Sequence, residues 1–177
     1  STVSHSYAVS LDRPADLVIT NSYPLDVNLR QDVKAVANVL FAAKPNGLIL
    51  ALLRSRLGMD DVRIPSSGIR LPLGLVRTFL RAAPARVIRG LSTSSLTGIA
   101  VEERFFLYFA LQALKRNRIF IYSPNLARQI DGKLRGLPLT GDLDTALNQV
   151  RRLLPSHPRV VVFPEGGVTY PLMRYHA

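Results

Sequence analysis

Gln31 and Lys34 combine the residue types and spacing in this chain best able to do chemistry. Three positions apart on a helix, they project from the same side of its first turns. The lysine ammonium can pair with a carboxylate while the glutamine amide hydrogen-bonds a hydroxyl or carboxylate oxygen, which together make an anion clamp. Arg30, one residue earlier, adds charge to that clamp or faces solvent. Tyr23-Pro24-Leu25-Asp26 either serves only as a turn and helix entry or lines the same ligand edge. The plainer reading of the pair is a capping glutamine beside an ordinary surface lysine, and composition alone favours it.

The elements that must position these residues lie between Ala15 and Arg54. A short apolar run, an amphipathic helix and a second apolar run, Leu48–Leu53, have the size of a βαβ unit, about forty residues. A right-handed crossover sets its two strands in parallel. In the helix, Leu29, Val33, Val36, Ala37, Leu40 and Phe41 form one stripe of a 3.6-residue repeat. Asn28 and Gln31 have capping-box spacing, and Lys44-Pro45 with Gly47 is a stop signal. The pair then sits just beyond the carboxyl end of strand Leu17–Thr20, the edge at which parallel α/β sheets bind ligands.

The rest of the chain repeats the alternation. Tyr7–Leu11 reads as a short edge strand, and Arg54–Leu71 as a long loop with a turn at Pro65–Gly68. Leu73–Ala83 is a helix with Leu75, Phe79, Leu80 and Ala83 apolar; the serines and threonine of Val87–Thr97 point to a loop. Glu102–Arg116 is a helix carrying Phe105, Phe106, Phe109, Ala110, Ala113 and Leu114, with Lys115 and Arg116 suited to its end. Arg118–Ser123 is a buried strand, Leu126–Ile130 a short helix, and Gly132 to Gly141 a turn-rich link. Asp142 caps a helix over Leu143–Leu154, and Arg159–Phe163 is the last buried strand, closed by Pro164-Glu165-Gly166-Gly167. Apolar strands alternating with helices predict a Rossmann-like, three-layer α/β domain with a mostly parallel sheet. Its ligand edge comprises loops Asn21–Asp26, Arg54–Ser67, Ser123–Arg128 and Pro164–Thr169.

The chain has 177 residues, enough for a single domain (1–177) with a real core, and 47% are hydrophobic. It opens on Ser1, as a domain cut from a longer protein would. Its longest apolar run is too short for a membrane span and no secretory signal opens it, so a cytoplasmic location and no membrane partner are expected. It lacks cysteine, which excludes disulfides and thiolate metal sites within the chain. The net charge is +11, and eight arginines lie between Arg54 and Arg89 against Asp60 and Asp61. Such a balance suits an anionic partner or simply a solvated basic face.

Several chemistries are missing. No Gly-x-Gly-x-x-Gly follows the first strand, and Gly136–Gly141 has Walker-A spacing but is followed by Asp142 and Leu143 rather than Lys and Ser or Thr. His5, His157 and His176 stand alone, so no metal site is expected; no Gly-x-Ser-x-Gly elbow or Ser-His-Asp arrangement occurs. Glu165-Gly166-Gly167 is either a plain turn or a backbone of close approach.

Ala15-Asp16-Leu17-Val18-Ile19, Tyr23-Pro24-Leu25-Asp26, Gln31-x-x-Lys34-Ala35 and Lys44-Pro45-x-Gly47 together resemble the C-terminal domain of the lactate racemase family. The order of elements up to Val160–Gly167 is similar as well. The resemblance implies a two-domain enzyme that racemises or epimerises a 2-hydroxy acid. Such enzymes use a nickel-pincer nucleotide, which takes the hydride from the substrate's C2 while a histidine takes the hydroxyl proton. The family's catalytic histidines, nickel ligand and cofactor-bearing lysine belong to its N-terminal domain. The resemblance therefore implies that this chain carries no catalytic residue, holds no cofactor alone and is inactive alone, with the N-terminal catalytic domain and a small hydroxy acid as its expected partners. The resemblance gives Lys34 the substrate carboxylate and cofactor region, and Gln31 the same pocket. Arg30 replaces a family tyrosine, and Phe105 and Phe106 stand near a family tryptophan. Both departures imply that a bulkier or more acidic hydroxy acid is as good a candidate as lactate.

Two other functions compete. A basic α/β module would bind nucleic acid or an acidic protein without catalysis, although no nucleic-acid motif is recognisable and nucleic acid is not an expected partner. A small-molecule transferase with a divergent nucleotide site is the third.

Overall fold

The computed structural model describes residues 7–59, 72–93, 101–130, 133–134 and 137–174. In chain order the strands are β1 (Ala8–Leu11), β2 (Ala15–Asn21), β3 (Ala43–Leu52), β4 (Arg118–Tyr122), β5 (Lys133–Leu134), β6 (Leu137–Thr140), β7 (Val160–Phe163) and β8 (Tyr170–Met173). The helices are α1 (Leu29–Val39), α2 (Leu73–Ala82), α3 (Ala85–Thr93), α4 (Val101–Arg116), α5 (Pro124–Ala127) and α6 (Leu143–Arg151). The main sheet has the order β5-β6-β4-β3-β2-β7. Its last five members are parallel, and β5 is antiparallel to β6. A separate parallel ribbon pairs β1 with β8. The architecture is a Rossmann-like, three-layer α/β fold with a mostly parallel sheet.

Period-two alternation sends neighbouring residues of each strand to opposite faces. Val18, Ile49, Ala51, Ile119, Ile121 and Phe163 meet Leu29, Val36 and Val39 of α1, Leu40 just beyond it, and Ala113 of α4. On the other face Leu17, Leu48, Leu50 and Phe120 meet Ala146 and Val150 of α6. Each fully buried Val, Leu or Ile in these layers contributes about 1.5–3 kcal/mol. A smaller cluster of Leu80, Ala83 and Ile88 joins α2 and α3 to Tyr108, Leu111 and Leu114 of α4.

Helix α1 starts as expected: Asn28 is extended and its side chain accepts from Gln31 N at 3.0 Å. It ends at Val39, with Leu40 as cap, two residues short of the expected stripe. Phe41 is therefore not a core residue but 57% exposed, with the Arg116 guanidinium 5.1 Å from its ring centroid. The turn expected at Lys44–Gly47 lies inside β3: Asp16 of β2 alone spans the four residues from Lys44 to Gly47 there, and Asn46 takes a φ of 68°.

Other expectations shift. The Gly132–Gly141 link contains β5 and β6, and β6 joins the parallel sheet beside β4. A helix, α3, runs to Thr93 where a loop was expected; 94–97 lie outside the described residues. Helix α5 begins at Pro124 rather than Leu126 because Ser123 caps it by accepting from Leu126 N. Helix α6 stops at Arg151, three residues early. Leu75 and Phe79 of α2 are exposed, whereas Leu80 and Ala83 are buried. Strand β7 is an edge: α6 lies over β3, β4 and β6, leaving Val160 44% and Val162 56% exposed. The expected turn at Pro65–Gly68 and the side chains of Phe105 and Phe106 lie outside the described residues.

Candidate functional site

The carboxyl ends of β2, β3 and β7 converge on the first turns of α1. Gln31 and Lys34 are brought together there, both half-buried, and Lys34 Nζ donates to Gln31 Oε1 at 2.6 Å. Arg30 is half-buried one turn before Lys34. Tyr23 is exposed on the same rim; its N–H donates to Asn21 Oδ1 at 3.0 Å and its carbonyl accepts from Gly167 N at 3.3 Å. Of the four residues expected from sequence, the structure joins Gln31 to Lys34 by a side-chain bond and ties Tyr23 to the rim through its backbone.

The β7 loop is a turn, closed by Val168 and Thr169 N–H bonds to the Glu165 carbonyl, whose glycines pack closely on β2. A β-carbon on Gly166 would lie 1.9 Å from Thr20 Oγ1 and 2.9 Å from the Asn21 carbonyl. Asn38, one turn beyond Lys34, donates through Nδ2 to the carbonyls of Gly166 and Gly167 at 2.9 and 3.0 Å. Thr20, fully buried, donates through Oγ1 to the Ala35 carbonyl at 3.4 Å. Together these contacts lock the Pro164–Thr169 loop against the face of α1 that carries Gln31 and Lys34.

On the other side of α1, sequence reasoning missed a polar cluster. Asp32 is fully buried and accepts a hydrogen bond from the Ser55 hydroxyl. Burial pushes its carboxyl up from the ordinary 3.8; hydrogen bonds from Ser55 and Ser22 oppose that, and the nearby Asp26 adds to it. Asp26 is nearly buried and receives both Arg54 and Arg56. The loop after β3 is laid along the β2 loop by Arg56 N–H to the Asp26 carbonyl and Leu57 N–H to the Val27 carbonyl, at 3.2 and 2.8 Å. The available signal was Asp32 itself, an acid placed between Leu29 and Val36 on the buried face of the helix.

The arginine-rich segment does not form one surface. Arg54 and Arg56 lie at the carboxyl edge, but Arg77 Nε donates to the Leu114 carbonyl at 3.1 Å and Arg81 reaches Asn46, both at the opposite end of the sheet. Burial, with Arg81 and Arg118 nearby, pushes Arg77 down to about 10. Among the described residues no three His, Cys, Asp or Glu side chains gather as they would around a metal ion, and no helix is long and apolar enough to cross a membrane.

In sequence the chain matches no protein-family model and no curated protein. In structure it is similar to the lactate racemase apoprotein from Thermoanaerobacterium thermosaccharolyticum. The TM-score is 0.63 at 18% identity, over 97% of this chain and 38% of that one. A Thermotoga maritima protein superposes more loosely, with TM-score 0.43 at 9% identity over 98% of this chain and 40% of its own. What the chain shares with the racemase apoprotein is the fold. It spans well under half the length of either structure.

Proposed function

We propose that this chain is the C-terminal domain of a two-domain 2-hydroxy acid racemase or epimerase of the lactate racemase kind. In this reading it closes over a cleft whose other wall is the N-terminal catalytic domain. The observation that carries the reading is the Gln31–Lys34 pair at the carboxyl edge of a parallel sheet, in a fold shared with a lactate racemase.

Lys34 offers an ammonium to the substrate carboxylate, and Gln31 Oε1 holds that ammonium in place. The Gln31 amide nitrogen then donates to a hydroxyl or carboxylate oxygen of the same substrate. A charge-assisted bond of this kind is worth about 1.5–3 kcal/mol. Arg30 and Tyr23 border the same pocket and bear on which hydroxy acid fits. A nickel-pincer nucleotide, when bound, supplies hydride transfer at C2. The donor set of the described residues does not suit nickel. In this reading the pair serves the substrate side, and the metal and proton-transfer groups belong to the other domain.

The test is racemisation of a panel of hydroxy acids by the full polypeptide and by this chain alone. The full polypeptide turns over its substrate, the isolated chain does not, and Lys34→Ala lowers kcat/KM at least about tenfold. Undiminished turnover by Lys34→Ala removes the assigned role. Nucleic-acid binding with a steep salt dependence, and no racemisation, favours the basic binding module.

A further inference from the structure

Arg54 and Arg56 flank Ser55 where the chain leaves β3, and both reach the same carboxylate. Arg54 Nη1 lies 3.3 Å from Asp26 Oδ2, and Arg56 Nη2 lies 3.4 Å from Asp26 Oδ1. Each oxygen takes one guanidinium, so a single negative charge is shared by two positive ones. The carboxylate is buried, its side chain 6% exposed, while the arginine side chains are 67% and 54% exposed. Two guanidinium groups that reach the two oxygens of one carboxylate are held close together, and both side chains stay largely open to solvent.

The backbone beneath them is fixed. Ser55 has a φ of 43° and its hydroxyl is held by Asp32. Asn125 Nδ2 donates to the carbonyls of Arg54 and Ser55 at 2.9 and 3.4 Å, and Arg56 N–H is bonded to the Asp26 carbonyl. A planar fork needs such support to meet an oxyanion with two parallel bonds. The position, beyond the carboxyl end of a parallel strand, is where ligands of such sheets bind.

We propose that Arg54 and Arg56, presented by Asp26, form a binding site for the phosphate group of a small ligand. A tetrahedral phosphate can offer an oxygen to each guanidinium fork, and one negative charge on it neutralises the single positive charge that Asp26 leaves over. The site uses neither Gln31 nor Lys34 and does not depend on the racemase reading.

The experiment is a titration of the chain with inorganic phosphate, followed by NMR at the arginine Nε–Hε signals, at constant ionic strength set with chloride. The Arg54 and Arg56 signals shift at about millimolar phosphate, and Arg54→Gln or Arg56→Gln weakens binding about tenfold each. Equal affinity in the Arg54→Gln/Arg56→Gln variant overturns the proposal, as does a shift that chloride alone reproduces. Tighter binding of succinate than of phosphate also overturns it, because it assigns the site to carboxylates. Removing both cations strands Asp26, so Arg54→Gln/Arg56→Gln/Asp26→Asn replaces the double variant if that fails to fold.

Discussion

Asp32 accepts a hydrogen bond from Ser55 while wholly shielded from solvent, which ties the first turn of α1 to the loop after β3. Because burial raises the Asp32 carboxyl above 3.8, the native state holds that proton more tightly than the unfolded chain. Its contribution to stability is complete below 3.8 and is lost as pH rises through the higher native value. Asp32→Asn keeps an acceptor for Ser55 and cannot ionise. Urea melts across pH 4 to 8 should show this part of the decline flattened in Asp32→Asn, at about constant cooperativity. Parallel pH curves for the two proteins count against the buried carboxyl as its source.

Gly166 and Gly90 predict opposite outcomes for the same substitution. A methyl at Gly166 meets Thr20 Oγ1 and the Asn21 carbonyl, whereas one at Gly90 in α3 meets nothing within 4 Å. Gly166→Ala should cost about 1–3 kcal/mol through overpacking. Gly90→Ala should add about 0.5–1 kcal/mol through helix propensity. Thermal melts of the two variants decide it.

Asn38 binds two consecutive carbonyls of the β7 loop. Asn38→Ala should cost about 1–2 kcal/mol for the lost bonds. Amide exchange at Gly167, Val168 and Thr169 should accelerate more than in β2, since the loop loses its attachment to α1. Equal acceleration throughout would place the effect in global stability alone.

Val160 and Val162 leave an apolar edge strand open to solvent. Such edges promote association between chains. Val162→Lys should lower self-association of the isolated chain, read by sedimentation at increasing concentration, with a stability change within about 0.5 kcal/mol. An unchanged sedimentation profile shows that this edge is not the contact.

The parallel layers were legible because Leu17–Thr20, Leu48–Leu53 and Arg118–Ser123 are apolar runs separated by segments of helical period. The position of Gln31 and Lys34 followed from helix phase and the location of β2. Strand β6 was hidden because Pro138 and the flanking glycines give turn signals, while its place is fixed by pairing with β4. Phe41 misled because it continues the apolar repeat after the helix has ended, where Arg116 covers its ring. The Asp26 and Asp32 cluster depends on Arg54, Ser55 and Arg56, which reach it through loop geometry that no local pattern encodes.

The ribbon of Ala8–Leu11 and Tyr170–Met173 brings together segments made far apart during synthesis. Ala8 waits for Tyr170 to leave the ribosome before either finds its neighbour, and Leu11 waits likewise for Met173. Such distant pairing makes assembly slow. Until then the growing chain displays an unpaired strand that chaperones can hold.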